Sequence, residues 1–221
     1  MNISRSVRYL WASMVIITAS LLSACMPLQQ AIPCEDVRED ALRNLAFGVA
    51  TMPEVQEWVS ITHQADETFV TDQPNELGWS LGNRSQSARF EDGVLKRVVV
   101  SYFGRGPTVE RVLECLGAPE YYEAAVKLDI KPQFVLDLWY PSQGFEAHSA
   151  SFGRDSVDPQ EVSKYRRMDR FSVTQPGALE DVVLAVYGRQ VMEKYQDQIM
   201  STIKPWPGSL DQITIDNQYQ Y

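Results

Sequence analysis

Few side chains of this chain could perform covalent or metal chemistry. The 221 residues contain three cysteines, Cys25, Cys34 and Cys115, and two histidines, His63 and His148. A cysteine thiol can be acylated, can form a disulfide or can act as a nucleophile, and histidine is a common general base and metal ligand. No histidine lies near a cysteine in sequence, and no set of ligands with zinc-site spacing is present. The sequence therefore predicts modified thiols, with no metal site and no cofactor.

His148 alternates along a predicted strand with Glu146 and Ser149, which are the residue types of a catalytic triad. No nucleophile-elbow motif accompanies them, so we interpret His148 as a surface strand residue. A hydrolase that uses paired carboxylates is the alternative, because a glycosidase needs two acids that converge in a cleft. The first acidic group instead favours the amino end of a helix. The acidic residues considered are Glu35, Asp36, Glu39, Asp40, Glu120 and Glu123. The sequence predicts a protein that is not an enzyme.

Cys34 and Cys115 are the two thiols that remain if Cys25 is modified. In an exported protein two remaining cysteines favour one disulfide. Cys115 also lies at the edge of the apolar stripe of a predicted helix, which would suit a buried free thiol. A disulfide, a buried free thiol and a reactive thiol therefore remain as alternatives, and we predict the disulfide.

The amino terminus has the layout of a secretory signal. Arg5 and Arg8 precede 14 residues without charge, "YLWASMVIITASLL". The 17 residues from Tyr9 to Cys25 are at the lower limit for a membrane-spanning helix, so an uncleaved anchor is one alternative. Simple secretion with cleavage after Ser20, which has Thr18 three residues before the cut, is another.

The four residues Leu22-Ser23-Ala24-Cys25 resemble the lipobox of bacterial lipoproteins. The resemblance implies a signal peptide over 1–24, diacylglyceryl transfer to Cys25, cleavage before it and acylation of the new amino terminus. Met26, in place of Asp, implies the outer membrane if the source has one. A tether over 25–33 follows, and the nine steps from Cys25 to Cys34 reach at most about 30 Å. We predict a cell-envelope protein anchored on the extracytoplasmic side of a membrane through its lipid.

The charge balance excludes nucleic acid as the main partner. The chain has 20 basic and 29 acidic residues. Removal of residues 1–24 leaves 18 basic and 29 acidic residues, a net charge of −11. Such a charge repels both nucleic acid and anionic lipid from the folded body.

The body alternates between helical and extended patterns. Four segments match the i, i+3, i+4, i+7 spacing of an amphipathic helix, and a further helix is predicted near 189–203. The four segments start at Leu42, Val55, Val109 and Leu179. Period-two segments between them predict antiparallel strands, with "EDG" and "PSQG" as turns and "QITI" as a last strand. This order predicts an α+β fold over 34–221, an antiparallel sheet with helices packed on one face. Two helix-plus-sheet units in tandem, about 51–103 and 107–173, precede C-terminal elements at 176–221.

The segments "PTVERVLECLGAPE" and "LWYPSQGF" resemble a pattern of BamE-like outer-membrane lipoproteins. The region 51–173 is also similar to the tandem-repeat fold of β-lactamase inhibitory proteins. Members of these families are non-catalytic and bind proteins through the exposed face of the sheet. The resemblance therefore implies another envelope protein as partner, and a secreted inhibitor-like protein is the further alternative. We expect one of Trp139 and Tyr140 to be exposed on that face, with Arg166, as a partner-binding patch.

Overall fold

The computed structural model describes residues 32–63, 67–70, 75–103, 106–128, 132–152 and 162–219. The predicted signal peptide, Cys25 and most of the predicted tether lie outside these residues. Their lipidation therefore stays a prediction. The remainder contains both helices and an antiparallel sheet, so the α+β class is confirmed.

Eight antiparallel strands form the main sheet. They are β1 (Glu67–Val70), β2 (Glu76–Leu81), β3 (Arg84–Glu91), β4 (Val94–Tyr102), β5 (Tyr121–Leu128), β6 (Pro132–Tyr140), β7 (Phe145–Phe152) and β8 (Arg170–Thr174). Their order is β1-β2-β3-β4-β8-β7-β6-β5. The strands β1–β4 form one meander and β5–β8 form a second, and the two meanders are joined where β4 pairs with β8. Two short strands lie on the far side of β5: β9 (Lys204–Pro205), which is antiparallel to it, and β10 (Asp216–Tyr219), which is parallel.

The turns between strands follow from local sequence. Asp92 and Gly93 connect β3 to β4 and both have positive φ, 54° and 79°, which is the conformation that a two-residue hairpin requires. The "EDG" hairpin is therefore confirmed. Gly144 connects the turn Pro141–Gln143 to β7 with φ 62°. A side chain there would lie 2.4 Å from the carbonyl oxygen of Thr174, so close packing of backbone on backbone requires glycine.

In the described residues five α-helices accompany the sheet. They are α1 (Cys34–Val37), α2 (Met52–Trp58), α3 (Val109–Leu116), α4 (Leu179–Tyr187) and α5 (Arg189–Thr202). The sequence Thr51-x-x-Glu54 is a capping-box pattern, and α2 starts there, with the Thr51 amide donating to Glu54 at 2.7 Å. Gly117 and Gly188 follow α3 and α4 with φ of 83° and 84°, a positive φ that glycine adopts without a steric cost.

The prediction of a regular helix from Leu42 to Val49 is wrong. Glu39 has φ 51°, the segment then makes one 3₁₀ turn at Leu42–Asn44, and Leu45 is extended with ψ 137°. Leu42 and Leu45 are nevertheless buried, so the apolar spacing reports contact with the core and not a continuous helix. Two predicted strands also differ in extent. The sequence pattern predicts a strand over "KYRRMDRFSV" (164–173), but the strand begins only at Arg170 and continues to Thr174, and the last strand begins just after "QITI".

Helices pack on both faces of the sheet, which corrects the prediction of one face. Tyr140 belongs to a core cluster that includes residues of α1, α2 and α3. Trp139, its neighbour on β6, belongs to a second cluster with α4 and α5. Since successive strand residues point to opposite faces, the two clusters lie on opposite sides of the sheet. The sequence pattern of α4 resembles that of α3, but α4 packs on the other face.

Candidate functional site

A row of polar side chains crosses the sheet on the face that carries α4 and α5. Residues paired in register on neighbouring strands lie side by side on one face. The pairing runs in the order Ser80, Ser85, Ser101, Arg170, His148, Asp137, Glu123, from β2 to β5. The row therefore begins with hydroxyl groups, passes through a guanidinium group and an imidazole, and ends with two carboxyl groups.

The centre of the row is a histidine–carboxylate pair. His148 Nδ1 lies 2.6 Å from Asp137 Oδ1, and Asp137 is only 2% exposed. An ionised carboxylate only accepts hydrogen bonds, so with an ionised Asp137 the donor in this pair is Nδ1. The His148 side chain remains 14% exposed. The arrangement orients one imidazole and leaves part of it accessible.

Glu146 lies beside this pair, in the adjacent row of the same face. Its Oε1 atom is 3.8 Å from His148 Nδ1 and 3.9 Å from Arg170 Nη2. Glu146 is 1% exposed, and its Oε2 atom accepts no hydrogen bond from the described residues. Ser172 of β8 pairs in register with Glu146, and its buried hydroxyl likewise has no hydrogen-bond partner among the described residues. Because burying a charge without full compensation is costly, the nearby guanidinium group of Arg170 is important for this carboxylate.

The helix α4 closes one end of the site. The hydroxyl of Tyr187 donates to Glu123 Oε2 at 3.4 Å, and Arg97 Nη1 donates to the carbonyl oxygen of Val186. Burial lowers the pKa of Arg97 to about 10, although the negative charge of Glu146 acts in the opposite direction. Glu123 is completely buried. The helix therefore shields the carboxylate end of the row from water.

The other end of the face is open. Ser80, Ser85, Ser87, Val99 and Ser101 are all partly exposed, and we call these five residues the serine face. They come from three neighbouring strands, β2, β3 and β4. The four serines of this partly exposed sheet surface offer hydroxyl groups at the regular spacing of the strands.

Two exposed side chains flank the serine face. Arg170 pairs in register with Ser101, and its side chain is 39% exposed. Phe103 follows the end of β4 by one residue and is 67% exposed. Exposed aromatic and arginine side chains are the usual anchors of protein interfaces. The serine face thus has a large apolar group and a cation at its margins.

The predicted partner-binding aromatics are not exposed, so that prediction is wrong. Trp139 and Tyr140 are both completely buried. Trp139 stacks on Tyr187 of α4, with ring centroids 6.4 Å apart, and the Tyr140 hydroxyl donates to the Gly117 carbonyl oxygen at 3.2 Å. The physical reason is that helices cover both faces of β6, so neither face of this strand is free.

The structure places Arg166 and Ser149 away from His148. Arg166 Nε donates to Ser149 Oγ at 2.8 Å, and its guanidinium carbon lies 4.7 Å from the centroid of the Phe134 ring. Ser149 neighbours His148 on β7 and therefore points to the opposite face. The triad of His148, Glu146 and Ser149 does not form, whereas His148 and Glu146 do come together. His63, the other histidine, ends the turn that follows α2.

Asp137 is the functional residue that the sequence reasoning missed. It is the single charged residue in "FVLDLWY", an otherwise apolar strand. A lone carboxylate in a buried strand needs a charged or hydrogen-bonding partner. The single Asp in an apolar strand was therefore the sequence feature that could have indicated this residue. The identity of the partner depends on the register of β6 with β7, which pairs Asp137 with His148 across the "PSQG" turn.

The predicted disulfide is confirmed. Cys34 at the start of α1 is bonded to Cys115 in the last turn of α3, with their Cα atoms 5.2 Å apart. The chain enters alongside α3, because Arg111 Nε donates to the Ile32 carbonyl oxygen at 2.9 Å. The segment before Cys34 is thus attached both covalently and by a hydrogen bond.

Two cavities of about 380 Å³ and 310 Å³ lie away from the histidine–carboxylate pair. They adjoin each other, since Glu91 and Arg189 line both. Neither is lined by Asp137, Glu146 or His148. The carboxylates that converge on His148 therefore do so on the sheet surface next to α4, and not inside either of these cavities.

Comparison with known proteins found no matching family model, no matching curated sequence and no matching solved structure. Function must therefore be argued from this geometry.

Within the part of the chain that the structure describes, no helix is both long and apolar enough to cross a membrane.

Proposed function

We propose that this protein is a lipid-anchored bacterial envelope protein that binds another envelope protein through the serine face and does not act as an enzyme. The observation that carries the proposal is the exposed surface itself: a row of strand hydroxyls flanked by Phe103 and Arg170. A polar surface with an aromatic and an arginine at its margins suits a protein interface. The Cys34–Cys115 disulfide supports an oxidising, extracytoplasmic location.

We further propose that the sheet consists of two helix-plus-sheet units in tandem. The helix α2 precedes β1–β4 and the helix α3 precedes β5–β8. The two sets of four strands meet through β4 and β8, the last strand of each set. This order supports the resemblance to tandem-repeat binding proteins. The C-terminal helices α4 and α5 then act as an addition that covers part of the binding face and leaves the serine face accessible.

Replacing Phe103 by alanine should reduce partner capture several-fold without changing thermal stability. The side chain is 67% exposed, so its removal takes little from the core but removes an interface anchor. The measurement is photo-cross-linking in native membranes from a photoreactive residue placed at Ser85. Tyr165→Ala is the matched control, because Tyr165 is 69% exposed on a different segment. Equal capture by wild type and Phe103→Ala, or equal loss with both variants, would contradict a role for this surface.

Replacing Cys25 by serine should abolish fatty-acid labelling and leave an uncleaved precursor, because the acyl-accepting thiol is lost. In this proposal the lipid holds the body at the membrane, since each acyl chain contributes about 0.8 kcal/mol for each buried methylene. Intact mass of membrane-extracted protein checks both. Processing and membrane partition of Cys25→Ser like those of wild type would contradict lipidation of Cys25.

A second candidate function, an extracytoplasmic hydrolase, is favoured by one observation. Asp137 and Glu146 are buried and both lie within 4 Å of His148. Such an arrangement could hold a general base. A reproducible hydrolytic activity that disappears in Asp137→Asn, while cross-linking through the serine face is retained, would decide for the hydrolase.

A further inference from the structure

Three side chains that ligate metals come together on β6 and β7. Asp137, Glu146 and His148 each offer one oxygen or nitrogen atom, and these atoms all lie within 4.8 Å of one another. The three residues occupy one face, since Asp137 pairs with His148 and Glu146 is two residues from His148 on the same strand. One imidazole and two carboxylates is a donor set suited to zinc and similar divalent ions.

The distances are close to those of a metal-bound state. Zinc binds nitrogen and oxygen ligands at about 2.0–2.2 Å, which places two ligands of a tetrahedral ion about 3.4 Å apart. His148 Nδ1 is 2.6 Å from Asp137 Oδ1 and 3.8 Å from Glu146 Oε1. On metal binding the first distance would lengthen by about 0.8 Å and the second would shorten by about 0.4 Å, while the Asp137 and Glu146 oxygens, within 4.8 Å of each other, would approach by up to about 1.4 Å. Rotation of the side chains supplies these shifts, and the neutral ring would carry its proton on Nε2, which leaves the Nδ1 lone pair for the ion.

A second observation points to a ligand independently of this geometry. Glu146 is 1% exposed, yet its Oε2 atom accepts no hydrogen bond from the described residues, and Oε1 approaches Arg170 only to 3.9 Å. Buried carboxylates in folded proteins are almost always fully hydrogen-bonded, ion-paired or bound to a metal. The negative charge of Glu146 is therefore available to a cation in addition to Arg170.

The charge balance around the trio permits a divalent ion. The carboxylates of Glu123, Asp137 and Glu146 face the guanidinium groups of Arg97 and Arg170 on the same face of the sheet. With a neutral imidazole, these three carboxylates and two guanidinium groups have a formal charge of −1, so a divalent ion brings the total to +1. Three protein ligands would leave one coordination position of a tetrahedral ion for water or a partner's side chain. His148 is partly exposed, which gives the ion a route from the open sheet surface.

We propose that Asp137, Glu146 and His148 form a binding site for a divalent transition-metal ion of the zinc class. The imidazole favours zinc over magnesium and calcium, which prefer oxygen ligands alone. The ion would cross-link β6 to β7 beneath α4 and would place a positive charge beside Arg170, at the margin of the serine face.

The test is zinc titration of the mature full chain, purified without a histidine tag and treated with a chelator. We expect one zinc ion per chain by calorimetry and by elemental analysis after dialysis, with no displacement by excess magnesium. Asp137→Asn and His148→Gln should each weaken binding at least about tenfold. His63→Gln and Asp92→Asn are the matched controls and should bind as wild type does, because both positions lie outside the trio.

The result that would overturn the proposal is an absence of saturable zinc binding by the wild-type chain, or equal zinc retention by wild type, Asp137→Asn and His148→Gln. Thermal denaturation and thiol alkylation of each variant verify that it is folded with its disulfide intact. If a variant fails to fold, anomalous diffraction from wild-type crystals soaked in zinc replaces it. Signal between Asp137, Glu146 and His148 then supports the site, and signal only elsewhere refutes it.

Discussion

Replacing Cys34 and Cys115 together by alanine should lower the free energy of unfolding by about 4 kcal/mol. The disulfide closes a loop across 81 residues, and a covalent loop of that length restricts the unfolded chain by approximately this amount. Denaturant titration followed by tryptophan fluorescence measures the change. We expect the midpoint to shift strongly, because this value is a large fraction of the total stability of an ordinary domain.

Reductant provides the matched control for this experiment. It should destabilise the wild-type protein to about the level of the double variant and should have no further effect on that variant. Single replacement of either cysteine should destabilise similarly, since one thiol cannot form the bond. A double variant as stable as wild type would show that the disulfide adds little to the noncovalent contacts of α1 and α3.

Raising the pH from about 4.5 to 7 should progressively destabilise the wild-type protein, because Glu39 must ionise. Glu39→Gln should remove this pH-dependent loss of stability. Burial raises the pKa of Glu39 to about 7, although the positive charge of Arg84 and the hydrogen bond from Tyr102 act against the increase. The folded protein therefore holds this proton more tightly than the unfolded chain does. The stabilisation that the Glu39 proton gives is complete below the pKa that Glu39 has in the unfolded chain. It is lost as the pH rises through the pKa that Glu39 has in the folded protein.

The difference in unfolding free energy between wild type and Glu39→Gln should change by about 3 kcal/mol between about pH 4.5 and 7, since each pKa unit corresponds to about 1.4 kcal/mol. Unfolding free energies at several pH values between 4 and 8 measure it. Glu193→Gln on the exposed side of α5 is the control for removing a carboxylate as such. Parallel curves for wild type and Glu39→Gln would mean that Glu39 is ionised in the folded protein at an ordinary pH.

Features that depend on a few adjacent residues could be predicted from the sequence. The capping box of α2 and the Asp92–Gly93 hairpin are each specified by residues within one turn. The disulfide could be predicted because only two cysteines remain once Cys25 is set aside. These predictions hold because their chemistry is local or is limited by a small number of partners.

Features that depend on packing could not be predicted in the same way. Apolar spacing from Leu42 to Val49 is compatible with a helix, but the positive φ of Glu39 and the extended Leu45 are set by contacts with the sheet. The burial of both Trp139 and Tyr140 follows from α4 lying on the face opposite α3. A helix of given amphipathicity packs equally well on either face, so its sequence does not select one.

The candidate site shows the same division. Alternation along β7 placed Glu146 and His148 on one face, which the structure bears out. Asp137 joined them only through the cross-strand register, which long-range pairing decides. The serine face depends on five residues from three strands and on where α4 and α5 end on the sheet, and no local pattern contains that information.

The position of the disulfide also determines how the protein transmits a mechanical pull. Tension applied to the chain ahead of Ile32 reaches the body at Cys34, where the bond passes it directly to Cys115 in α3. The 80 residues between the two cysteines, which include all of β1–β4, lie in a closed loop outside this line of force. A pull between the amino terminus and the C-terminal elements therefore loads the half of the sheet that begins at β5, and the covalent path bypasses the half that carries the serine face.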